Sequence, residues 1–156
     1  MPRHFRFLRH PLHPALVHFP MGLLPLSFLW DLISLWRGTG GLSEAAFWGS
    51  FAFWTLVAGL VALLPALGTG FLDFLAIPDE NQGALTAAYW HIGVMILAAS
   101  LFTVSLFLRM GIETPVRPTP LFALVFSALG ALTLLAGGYL GGKLVYEYGI
   151  GHEEKK

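Results

Sequence analysis

The stretch Ala45 to Leu72, AAFWGSFAFWTLVAGLVALLPALGTGFL, contains no Asp, Glu, Lys, Arg or His. Crossing about 30 Å of hydrocarbon at 1.5 Å per residue takes about 20 apolar residues, so this run is long enough to span a bilayer as one helix. Pro118 to Gly142 is equally free of those residues, Asn81 to Leu108 is interrupted only by His91, and Ala15 to Trp36 supplies a fourth segment. Composition agrees, with 56% hydrophobic residues, 12% charged and a mean hydropathy of +0.70, against about 25% charged in soluble domains. The sequence predicts an all-α membrane protein: a four-transmembrane-helix bundle with short loops and both termini on the same side. The spans fall at about 15–36, 46–75, 84–108 and 120–144, in a single domain covering 1–156. The first span is too long and too interrupted, by two prolines and Asp31, for a removable signal peptide, and is read as retained.

Several chemistries drop out at once. The chain has no cysteine, which excludes disulfides, thiolate zinc sites and haem attached through Cys-x-x-Cys-His. Its net charge is zero and it lacks the basic cluster of a nucleic-acid binder. Serines 27, 50, 100, 105 and 127 have no histidine at matching depth, and no Gly-x-Ser-x-Gly or His-Glu-x-x-His motif occurs, so they read as helix-packing residues rather than nucleophiles. The halves show no inverted repeat of the kind transporters use. Lys and Arg set the orientation: Arg3, Arg6, Arg9, Lys143, Lys155 and Lys156 lie on the side of the termini and Arg37, Arg109 and Arg117 on the other. That excess predicts both termini in the cytoplasm.

The segment His10-Pro11-Leu12-His13-Pro14-Ala15-Leu16-Val17-His18-Phe19-Pro20 brings three histidines to the mouth of the first span. An unpartnered polar group costs about 2–7 kcal/mol in hydrocarbon, so such residues mark sites. His18 lies about 6 Å below the entry of the first span, and His91 sits near the entry of the parallel third span. Asp73 closes the second span on that same face, and the fourth span exits there through Gly141 and Gly142. Four spans therefore converge on one polar pocket. His10 and His13 precede prolines, which favours extended or turn backbone outside the span. Asp73 reads either as an interfacial carboxylate or as the acceptor that orients a liganding ring. Asp31, about 20 Å beyond His18, is expected to pair with Arg37 or headgroups, and Lys143 and Arg109 to snorkel from span ends. Gly130, Gly137, Gly138 and Gly141 form a smooth stripe. It either lets a neighbouring helix approach closely or leaves clearance for a flat cofactor.

The motif His13-Pro14-Ala15-Leu16-Val17-His18-Phe19-Pro20, the Gly70-Phe71-Leu72-Asp73 step, His91 and the closing Gly141-Gly142-Lys143-Leu144-Val145-Tyr146-Glu147-Tyr148-Gly149 resemble the bacterial membrane family called domain of unknown function 2231. The likeness covers nearly the whole chain, although members usually carry His where this chain has Tyr148. Some members resemble fusions with Rieske-type or cytochrome c domains, which implies redox chemistry rather than transport. In that context the first expectation is a b-type haem with His18 and His91 as axial ligands, Asp73 holding a ring, and Gly137, Gly138 and Gly141 admitting the macrocycle. Electrons would pass to or from a quinone or a partner protein. A second is one Zn, Fe or Cu ion held by His13, His18, Asp73 and His91, which requires His13 to fold back. A third is a non-catalytic membrane subunit or assembly factor, in a homo- or hetero-oligomer, whose polar cluster merely locks the bundle. All three favour an electron-transfer or binding subunit over an independent enzyme.

Overall fold

A computed structural model describes residues 6–7, 10–110 and 119–150. Arg3, Arg9, Arg117, Lys155 and Lys156, counted above for orientation, lie outside the described residues. The chain opens with a two-residue antiparallel ladder, β1 (Arg6–Phe7) and β2 (His10–Pro11), in which Arg6 faces Pro11 and Phe7 faces His10. Five helices follow: α1 (Leu12–Leu16), α2 (His18–Arg37), α3 (Leu42–Leu75), α4 (Gln82–Met110) and α5 (Leu121–Tyr146). Four segments, Leu12–Gly40, Leu42–Leu75, Gln82–Met110 and Leu121–Tyr146, are long and apolar enough to cross a membrane. The protein is thus a four-helix all-α bundle.

The first segment starts earlier than the expected 15, and His13 is helical rather than extended. Pro14 falls inside the first turn of α1, where amide hydrogens have no intrahelical acceptor, so its missing N–H costs nothing. Only Val17 separates α1 from α2, and the amide of Val17 still donates to His13 O at 3.0 Å. Between α2 and α3 the chain makes one 3-10 turn, Gly38–Gly40, then Gly41 at φ 147°, a conformation that a side chain would strain. At the start of α4, Asn81 Oδ1 accepts the amide of Ala84 at 3.1 Å, a side-chain N-cap.

The helices pack most extensively as two hairpins, α2 with α3 and α4 with α5, and the hairpins meet along narrower α2/α5 and α3/α4 seams. The buried residues of α3 are mostly Ala and Gly, which lets backbones approach closely where lipid supplies no hydrophobic drive between helices. Leu24, Leu56, Ala98, Phe102, Ala131 and Leu134 form the central core. Large side chains such as Trp54, Leu64, Phe107 and Leu132 are exposed on the outside, the face that lipid covers.

A polar cluster of described residues interrupts this apolar interior. Arg109 donates to both carboxylate oxygens of Asp31 at 2.7 Å each, and the two side chains are 5% and 0% exposed. Arg109 also reaches Ser127 Oγ and Ser105 Oγ at 3.0 Å, and Thr119 donates to Asp31 Oδ1 at 2.7 Å. This corrects two expectations, since Asp31 pairs with neither Arg37 nor headgroups and Arg109 does not snorkel. The reason is helix phase: Pro20, Leu24, Ser27, Asp31 and Ser34 form one buried stripe of α2, and Ala98, Phe102, Ser105 and Arg109 one of α4. Arg37 instead pairs with Glu44 at 2.7 Å on the exposed turn, and Lys143 pairs with Glu147 at 3.4 Å near the end of α5. Arg109→Ala strands the Asp31 charge and is expected to cost about 3–5 kcal/mol, whereas Asp31→Leu with Arg109→Leu removes both charges and costs much less. Thermal unfolding in mild detergent checks this order; a double variant no more stable than Arg109→Ala contradicts the pairing.

Candidate functional site

At the opposite end of the bundle, two histidine rings are held in niches built alike. His13 on α1 places Nδ1 2.8 Å from Ala66 O of α3, and its ring lies against Gly70, one turn further along. His91 on α4 places Nδ1 2.9 Å from Gly137 O of α5, and its ring lies against Gly141, again one turn further along. A Cβ at Gly70 would meet the His13 ring at 2.7 Å and one at Gly141 the His91 ring at 3.1 Å, so both niches exist because a side chain is missing.

The hydrogen bonds fix the chemistry of the rings. A carbonyl oxygen only accepts, so Nδ1 of each ring carries the hydrogen, and a neutral imidazole then leaves a lone pair on Nε2. Among the described residues nothing bonds Nε2 of either ring. A main-chain acceptor on Nδ1 that fixes tautomer and orientation is the usual support for a metal-ligating histidine. The two rings come from different parts of the bundle, His13 from α1 packed on the first hairpin and His91 from α4 of the second.

The other candidates are placed differently. His18 is exposed, and its Nδ1 is 3.3 Å from Ala15 O of its own helical turn; it stands about 200° around the helix from buried Pro20 and does not join the niches. Asp73 is buried, 7% exposed, one turn beyond Gly70, but the acceptors that orient the rings at Nδ1 are backbone carbonyls. Among the described residues no group of three or more His, Asp or Glu could hold a metal ion, so His13, His18, Asp73 and His91 do not assemble as a four-ligand site. His13 faces inward without folding back.

The glycine stripe is filled. Cβ atoms at Gly130, Gly137 and Gly138 would meet Phe102 at 3.0 Å, Met95 Sδ at 2.5 Å and Met21 Cε at 2.9 Å. These glycines therefore serve close helix packing, and the neighbours at Gly137 and Gly138 are the flexible ends of methionines. Tyr148 lies against Gly83, whose Cβ would meet its ring at 3.0 Å.

The sequence profile of DUF2231, described as predicted membrane protein, matches residues 9–154, and the chain belongs to that family. No curated protein and no solved structure matches it. Gly70→Ala is expected to dislodge the His13 ring and lower the melting temperature, Gly141→Ala to do so less, and Gly22→Ala, with nothing within 4 Å, to leave it unchanged or raise it by the equivalent of about 0.5–1 kcal/mol. Melting curves that rank the three variants otherwise contradict the niche geometry.

Proposed function

We propose that this DUF2231 protein is a membrane electron-transfer subunit that binds one b-type haem between His13 and His91. The observation that carries the reading is the pair of rings, His13 and His91, each fixed at Nδ1 by a main-chain carbonyl, with no bond to Nε2 among the described residues. A free Zn, Fe or Cu ion needs three or more protein ligands, whereas a porphyrin supplies four nitrogens itself and needs only one or two. The donor set therefore fits haem better than a bare ion. Beneath the rings, the space beside Gly137 and Gly138 is filled by Met95 and Met21, side chains that yield more readily than backbone.

Bound there, haem supplies reversible one-electron transfer. The chain's own residues set the conditions for it. Ala66 O and Gly137 O hold the rings and increase their basicity as ligands. The apolar core of Leu24, Leu56 and Phe102 keeps water from the interior, and burial tunes the potential. A quinone or a redox protein at this face of the bundle is the partner class such a subunit serves.

The reading is tested by an oxidised-minus-reduced visible spectrum of protein purified in mild detergent from haem-supplemented cells. A sharp reduced α-band is expected in the unmodified protein and in His18→Ala, and its loss in His13→Ala and in His91→Ala. A folded but colourless protein, or dependence on His18 alone, overturns the assignment.

Orientation belongs to the same proposal. Arg109 is neutralised inside the bundle by Asp31, which leaves Arg37 and Arg117 on the side opposite the termini and strengthens the bias that places the termini in the cytoplasm of a bacterial inner membrane. Because the chain lacks cysteine, single replacements give a clean readout. Thr39→Cys in intact cells is expected to react with an impermeant thiol reagent and Glu154→Cys to stay unlabelled; the reverse pattern inverts the topology.

A further inference from the structure

Three contacts in the first hairpin recur in the second. His13 bonds Ala66 O and touches Gly70, as His91 bonds Gly137 O and touches Gly141. A Cβ at Gly59 would meet Leu24 at 2.7 Å, and one at Gly130 would meet Phe102 at 3.0 Å. His13 to His91 and Leu24 to Phe102 are both steps of 78 residues, the separation that also divides Asp31 from Arg109. Ala66 to Gly137, Gly59 to Gly130 and Gly70 to Gly141 are all steps of 71. The same offsets align Leu23 with Leu101, Ser27 with Ser105, Ala52 with Ala123, and Leu63-Leu64 with Leu134-Leu135. Packing follows the same rule: α2/α3 and α4/α5 are the extensive contacts, and α2/α5 and α3/α4 the narrow ones, as two equivalent hairpins related by a two-fold axis require.

We infer that the chain is two copies of one helical hairpin fused in tandem around an approximate two-fold axis along the bundle. The space on that axis between His13 and His91 is then a single binding site to which each copy gives one equivalent donor. In a two-fold arrangement a residue meets its own counterpart only on the axis. Asp31 and Arg109 are such counterparts and touch at 2.7 Å, which marks the axis at one end; His13 and His91 are counterparts at the other, each bonded to the equivalent backbone carbonyl of its own half. A cofactor held there would take one equivalent imidazole from each copy, and a haem iron, which needs only one or two protein ligands, would fit that donor set. This deepens, and rests on, the haem reading above.

Two measurements on the full chain separate the duplication from its ligand. Leu29 and Val61 on the first hairpin correspond to Phe107 and Leu132 on the second, and all four are exposed. A two-fold axis makes the distance from residue 29 to 132 equal to that from 107 to 61. Spin labels on Leu29→Cys/Leu132→Cys and on Phe107→Cys/Val61→Cys, read by pulsed electron resonance, are expected to give overlapping distance distributions; distributions that do not overlap overturn the inference. In haem-loaded protein, His13→Gly and His91→Gly are expected to lose the α-band and to regain it with added imidazole at concentrations within about threefold of one another; a difference of tenfold or more, over about 1.4 kcal/mol, overturns the equivalence of the donors. An unmodified chain that takes no haem sinks the ligand assignment and the shared occupancy with it, while the label distances still decide the duplication.

Discussion

The ion pair between Asp31 and Arg109 is the constraint on which the rest of this bundle depends. Two charges placed in an apolar interior must find each other, because an uncompensated one costs several kcal/mol. The hairpins otherwise meet along narrow seams around an apolar core, and apolar packing alone is tolerant of sliding. A bidentate guanidinium–carboxylate contact is not, since its two parallel bonds fix direction as well as distance. Ser105, Ser127 and Thr119 add further bonds to the pair, so α2, α4 and α5 are tied at one point.

That tie determines the other end. Arg109 follows His91 by five full helical turns, about 27 Å at 1.5 Å per residue, so turning Arg109 inward also turns His91 inward. The histidine end differs in chemistry rather than position. There each ring bonds a carbonyl at Nδ1 and, among the described residues, nothing at Nε2, so one end of the bundle holds paired charges and the other offers ring nitrogens. A structural lock would be expected to satisfy both nitrogens, and that difference directs the functional reading to His13 and His91.

The four spans were legible from length and apolarity alone, because a bilayer demands both. The ion pair was not, although its signal was present: Ser27, Asp31 and Ser34 share a face with Leu24. What the sequence lacks is knowledge of which faces meet, and Asp31 and Arg109 are 78 residues apart. The rule that a residue before proline is extended yields at His13, which lies in the first turn of α1. The choice of His18 followed depth without helix phase. The two readings of the glycine stripe separate only when its neighbours are known, and Phe102, Met95 and Met21 fill it. The repeat is faint in the sequence because the second helices of the two halves are offset by 71 residues and the first by 78.

The central claim is that His13 and His91 are paired donors with Nδ1 protonated and Nε2 open. Nitrogen resonance of the protein carrying 15N-labelled histidine in bilayers, before any cofactor is added, tests it most directly. With signals assigned by their loss in His13→Ala and His91→Ala, the account predicts two neutral rings of the Nδ1–H tautomer with unprotonated Nε2. Rings of the Nε2–H tautomer at both positions would contradict it.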